Sequence, residues 1–156
     1  MTDYSKLLKE VVLFQDVDAD NLKHLEQCVI KRTYSLGDYL FHAGTVRTEI
    51  SIIVKGELEI LRGVGEAQNV VARLGPGNFV GEGAILSDEP HSTSCRAVVN
   101  TEVLALERSS IEEVIKDKPE LARKIFSQVA RVMLHRLKYA GYGYCDAVLG
   151  SVAHAA

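Results

Sequence analysis

The stretch Phe79-Val80-Gly81-Glu82-Gly83-Ala84-Ile85-Leu86, joined by a short polar segment to Pro90-His91-Ser92-Thr93-Ser94-Cys95-Arg96-Ala97, places two glycines around one glutamate and follows them with a short apolar run. Glycine carries no Cβ, so the backbone at Gly81 and Gly83 can come close to a ligand. The apolar run suits a single helical turn, whose free N–H groups and dipole favour an anion. The pattern predicts a backbone cradle for a phosphate, in which Gly81, Gly83 and Ala84 offer N–H groups and Ser92 and Thr93 add hydroxyls from the far side of the loop. No catalytic group is built into it.

Outward from this stretch, Tyr34 to Leu106 reads as short apolar runs punctuated by glycine, among them Gly37, Gly44, Gly56, Gly63, Gly65, Gly75 and Gly77. Short strands separated by turn signals at this spacing predict an antiparallel sandwich or a jelly-roll barrel. The clearest strands are Ile50–Val54, Leu58–Leu61, Val70–Ala72 and Val98–Leu106, with Arg62–Glu66 as a hairpin loop. Before the barrel, Leu7, Leu8, Val11, Val12 and Phe14 mark one short helix, and Asp18 caps a second that carries Leu22, Leu25, Cys28 and Val29. After it, Ser109-Ser110-Ile111-Glu112 reads as a capping box, and Asp117-Lys118-Pro119-Glu120 restarts a longer helix that runs to about Ala140, where Gly141 stops it. The expected organisation is one mainly β domain over residues 1–156: helices over about 3–30, barrel over about 31–107, C-terminal helices over about 109–140, and a tail over 141–156.

The ordered signatures Gly37-Asp38-Tyr39-Leu40-Phe41 to Gly44, Ile53-Val54-Lys55-Gly56, and Leu74-Gly75-Pro76-Gly77-Asn78-Phe79-Val80-Gly81-Glu82 resemble cyclic-nucleotide-binding domains, the module of catabolite activator proteins and of protein kinase A regulatory subunits. The resemblance runs from about Leu13 to about Leu137. It implies the double-stranded β-helix form of the jelly roll and a phosphate-binding cassette at Gly81–Ala97. It also implies that Glu82 accepts a hydrogen bond from a ribose 2′-hydroxyl and that cAMP or cGMP is the ligand. In the catabolite-activator (Crp/Fnr-like) branch a helix-turn-helix follows the long helix. Residues 141–156 are too few to build one, so direct DNA reading is not expected.

The sequence departs from the family pattern where an arginine would clamp the cyclic phosphate, since the aligned residue is His91. Imidazole is shorter, has one donor per nitrogen and lacks the planar, permanently charged fork of arginine. Either His91 takes over the contact, weakly and best when protonated, or the loop has left ligand binding and His91 is a surface residue. Arg136 interrupts the apolar sector of the last helix. Either it reaches over the pocket with Tyr139 as part of a lid, or it snorkels to solvent. Leu121, Ala122, Ile125, Phe126, Val129, Val132, Met133, Leu137, Tyr139 and Ala140 cover about half of that helix, more than the stripe of roughly 100° needed to lie on a barrel. The surplus predicts a homodimer through this helix; the alternative is a helix tucked into its own barrel on both flanks.

The chain has 156 residues, 47% of them apolar and 25% charged, with a net charge of −3. Such a balance suits one globular domain, gives no electrostatic footprint for nucleic acid and contains no membrane-spanning run. Cys28, Cys95 and Cys145 are widely spaced, which disfavours a disulfide framework or metal site and points to a reducing cytoplasm. The segment Tyr34–Leu106 holds only His42 and His91, too few for the metal centre of a cupin-type enzyme, and no catalytic grouping stands out. No cofactor and no enzymatic activity are expected. The sequence reading is a small cytoplasmic regulatory protein that binds a cyclic nucleotide and signals allosterically to a protein effector; the alternative is a degenerate pocket in a nucleotide-independent dimeric interaction module.

Overall fold

The computed structural model describes residues 4–139, except for the side chain of Tyr139. Helix α1 (Ser5–Glu10), a 3-10 turn (Val12–Phe14) and helix α2 (Ala19–Cys28) open the chain. Asp18 caps α2: the backbone N–H of Asn21 donates to Asp18 Oδ1 at 3.0 Å and the Asn21 amide donates to Oδ2 at 2.7 Å. These bonds, the backbone one first, hold the Asp18 carboxyl below the usual carboxylate range.

The described residues then form eight strands, β1 (Val29–Tyr34), β2 (Tyr39–Phe41), β3 (Glu49–Lys55), β4 (Leu58–Arg62), β5 (Asn69–Leu74), β6 (Phe79–Val80), β7 (Ser94–Ala97) and β8 (Thr101–Glu107). They pair antiparallel in two sheets of order β1-β8-β3-β6 and β2-β7-β4-β5, a jelly roll. Helices α3 (Arg108–Asp117) and α4 (Pro119–Tyr139) follow.

Strand β3 shows why its sequence is a nearly unbroken apolar run. Ile50 and Ile52 pack outward against the helices, where they meet Leu8, Phe14, Leu25, Ile111, Leu121, Ile125 and Val129. Ile53 faces the barrel interior with Leu58, Ile60, Val80, Cys95, Ala97 and Val103. A strand covered on both faces loses the polar half of the usual alternation. β8 is built the same way, with Leu104 and Leu106 toward the helices and Val103 toward the interior.

Three boundaries differ from the sequence reading. Val29 and Ile30 belong to β1 rather than to α2, because they pair with Leu106 and Ala105 in register. Val98–Asn100 forms a turn before β8, held by the Val98 N–H on Glu57 O at 3.0 Å and the Leu36 N–H on Asn100 Oδ1 at 3.1 Å. Ser109 does not cap α3: the helix starts at Arg108 with Glu107 as an N-cap that makes no side-chain bond, and Glu112 instead accepts from Arg108 Nε at 3.2 Å.

Helix α4 begins on Pro119, whose missing N–H is one of the unbonded first-turn groups. Leu121, Ala122, Ile125 and Val129 are buried in the protein's own core, and Val132 and Met133 are half-buried against it. The predicted surplus is therefore smaller than the helical wheel implied. The large apolar side chain left outside is Leu134, 66% exposed. Gln128 Nε2 donates to Asp16 Oδ2 at 2.6 Å and ties α4 to the N-terminal segment. Ala140, Gly141 and the tail lie outside the described residues. Among the described residues no helix is long and apolar enough to cross a membrane.

Candidate functional site

Gly81 carries the chain from β6 into a 3-10 turn (Glu82–Ile85) with φ +80° and ψ 20°, the left-handed region. A Cβ there would stand 2.6 Å from the backbone carbonyl oxygen of Glu49 in β3, so the chain can pass only because the residue is glycine. The turn closes with the Ala84 N–H on Gly81 O at 2.9 Å. That bond corrects one expectation: the Ala84 N–H is committed inside the turn and is not aimed at a ligand.

Glu82 is 0% exposed, and the guanidinium of Arg136 reaches it from α4. Arg136 Nη1 donates to Glu82 Oε1 at 3.4 Å, Nη2 donates to Phe79 O at 2.8 Å, and the guanidinium carbon lies 4.9 Å from the centre of the Phe79 ring. At 8% exposure Arg136 does not snorkel; it is drawn inward by a buried carboxylate, a carbonyl and an aromatic face. The site thus joins residues 54 positions apart in the chain. Tyr139, expected beside Arg136, has its side chain outside the described residues.

The remaining candidate residues lie on the segment before β7. The His91 N–H donates to Thr45 O at 2.9 Å and the Gly44 N–H donates to His91 O at 2.8 Å, so the segment is clamped to the loop between β2 and β3. The His91 ring is stacked on Phe41 with centroids 3.8 Å apart and planes 4° apart. His91 is buried and is not a surface residue. Beside it, Ser92 Oγ and Thr93 Oγ1 are buried hydroxyl oxygens without a hydrogen-bond partner among the described residues. A buried hydroxyl left this way costs about 1–3 kcal/mol. Two neighbouring ones suit an anion, which accepts from both.

The structure joins Glu82 to Arg136 and seats Gly81 against Glu49 at the start of β3, and it clamps His91, with Ser92 and Thr93 after it, to Thr45 on the loop that leads into the same strand. It adds Phe41, which forms the stacking surface under His91, and Arg47, a buried cation on the loop that clamps His91. Neither shows in the sequence: Phe41 reads as ordinary strand filling, and Arg47 sits in a polar loop without periodicity. A cleft of about 270 Å³ opens on the His91 side, lined by Phe41, Thr45, Glu49, Ser51 and His91 and by none of Gly81, Glu82, Ser92, Thr93, Arg47 or Arg136. Among the described residues no group of three or more His, Cys, Asp or Glu is placed to hold a metal ion.

Comparison with known proteins gives consistent similarities. The family model described as cyclic nucleotide-binding domain matches residues 31–118. A protein of Rhodopseudomonas palustris named for a potassium channel is 31% identical over 119 residues, 76% of this chain and 29% of that one. The cyclic AMP receptor protein of Thermus thermophilus is 30% identical over 102 residues, 65% of this chain and 47% of that one. The chain spans less than half the length of these two curated relatives. Among solved structures, a cyclic nucleotide-binding domain from Methylobacillus flagellatus superposes with a TM-score of 0.79 at 18% identity, covering 88% of this chain and 82% of that one, which establishes the fold.

Proposed function

Because the chain belongs to the cyclic nucleotide-binding domain family, we propose that it binds a cyclic nucleotide of the cAMP or cGMP type between Gly81 and Thr93 and passes the occupancy of that site to a protein effector through α4. The observation that carries this reading is the contact of Arg136 on Glu82. The carboxylate suited to a ribose 2′-hydroxyl is the same one that holds the last helix. A ligand hydroxyl that donates to Glu82 changes what Arg136 meets, and so biases the position of α4. The N–H groups of Gly81 and Gly83 and the hydroxyls of Ser92 and Thr93 receive the phosphate, and His91 with Phe41 walls the site. The composition, and the lack among the described residues of a helix able to cross a membrane, support a cytoplasmic regulatory protein.

Thermal unfolding with added cAMP, cGMP and a cyclic dinucleotide tests the reading. A ligand at 100 times its Kd stabilises the folded state by about 2.7 kcal/mol. The 2′-deoxy form of the effective nucleotide should bind at least about 10-fold more weakly, because Glu82 loses a charge-assisted bond. No shift with any of the three would favour a pocket that has lost its ligand in a nucleotide-independent interaction module.

The exposed Leu134 supports the further proposal that α4 pairs with its counterpart in a second copy. Leu134→Glu should give a monomer by sedimentation with little change in melting temperature, since the side chain is mostly exposed among the described residues. Wild-type protein that already sediments as a monomer at micromolar concentration would remove the dimer.

A further inference from the structure

We propose that Arg47, from the loop between β2 and β3, supplies the positive charge that grips the phosphate of the nucleotide. The assignment rests on the proposed reading of the Gly81–Thr93 region as a nucleotide site.

Placement is the first argument. Arg47 stands two residues after Thr45, whose carbonyl accepts the His91 N–H at 2.9 Å. It stands two residues before Glu49, whose carbonyl lies 2.6 Å from where a Cβ on Gly81 would be. Two residues of chain span at most about 7 Å, so the backbone of Arg47 is within that reach of Thr45 and Glu49, the residues that touch His91 and Gly81. Orientation is the second. Val46 and Thr48 on either side are exposed, whereas Arg47 is only 2% exposed, so the charged side chain of this loop is the one that turns inward. The loop runs between the residue that clamps His91 and the strand start that abuts Gly81.

Chemistry is the third. Phosphate carries charge and several acceptor oxygens, and guanidinium answers it with a permanently charged planar fork able to make two parallel bonds. His91 cannot do this: its ring lies flat on Phe41 and has one donor per nitrogen. Arg136 is engaged by Glu82 and by Phe79 O. A desolvated guanidinium binds an anion more strongly than an exposed one. The buried Thr93 hydroxyl and Ser92 Oγ, on the segment that the loop clamps, supply neutral donors. The charge that the sequence lacks at position 91 thus enters the site from a different segment.

The test is calorimetric titration of the full chain with cAMP and cGMP. Arg47→Gln should weaken binding roughly 10- to 100-fold, the loss of a charge-assisted pair. Arg47→Lys, the variant to be read if Arg47→Gln does not fold, keeps the charge without the fork and should also bind more weakly than wild type. His91→Arg in the Arg47→Gln background moves the charge to position 91 and should restore most of the affinity, which a purely structural role for Arg47 would not allow. Wild-type binding unchanged in both Arg47 variants overturns the assignment alone, as does a loss that His91→Arg does not repair in a folded protein. Wild-type protein that binds neither nucleotide overturns the nucleotide reading itself.

Discussion

Glu82→Ala should lower the unfolding free energy by about 3 kcal/mol, a large effect for one surface-distant substitution, because it leaves the Arg136 guanidinium buried without its carboxylate. The remaining bond to Phe79 O and the face of the Phe79 ring keep the loss at the lower end of the range for broken buried pairs. The structure makes Glu82 part of the fold as well as of the cradle by bringing Arg136 onto it. Replacing both partners by neutral groups of similar size, as in Glu82→Gln with Arg136→Met, should recover most of the stability, because the uncompensated charge is gone. Urea unfolding of the three proteins measures this. A single variant as stable as wild type would mean that Arg136 finds solvent at little cost and that α4 is not held through Glu82.

The contrast between what could and could not be read from the sequence follows the range of each interaction. The barrel is legible because its signals are local: Gly56 and Gly77 mark turns, β3 and β8 are continuous apolar runs, and Asp18 precedes a helix. The cradle is legible for the same reason, since its turn is built from Gly81 to Ile85 alone. The partners of that turn are not. Arg136 is an arginine in an apolar stripe, and solvent and buried carboxylate are equally compatible with that pattern until the helix is laid on the barrel. His91 meets Phe41 through a stack between two strands' worth of distant chain, and Arg47 turns inward between two exposed neighbours. The small errors have the same origin. Val29 and Ile30 suit a helix end until β8 offers them a ladder, and Ser109 suits a cap until the backbone of Arg108 enters the helix first. Local chemistry proposes an element, and non-local pairing fixes where it stops.

Gly81→Ala is the substitution expected to damage the site most directly. The left-handed conformation at φ +80° disfavours any residue with a Cβ by roughly 1–2 kcal/mol. The added carbon would also stand 2.6 Å from Glu49 O, a backbone atom in a strand paired on one side with β8 and on the other with β6. Neither chain can yield without disturbing a ladder, and overpacking of this kind adds about 1–3 kcal/mol. The sum, about 2–5 kcal/mol, falls at the start of the turn that presents Glu82 and the Gly83 N–H, so nucleotide affinity should drop together with stability. Gly77→Ala separates the two causes. Gly77 has φ +87°, but a Cβ there meets nothing within 4 Å, so it carries the conformational penalty without the contact. Urea unfolding should show Gly81→Ala less stable than Gly77→Ala by more than 1 kcal/mol, with binding impaired in the first and retained in the second. Equal losses of stability in the two proteins would mean that β3 gives way freely and that its passage over Gly81 does not fix the cradle in place.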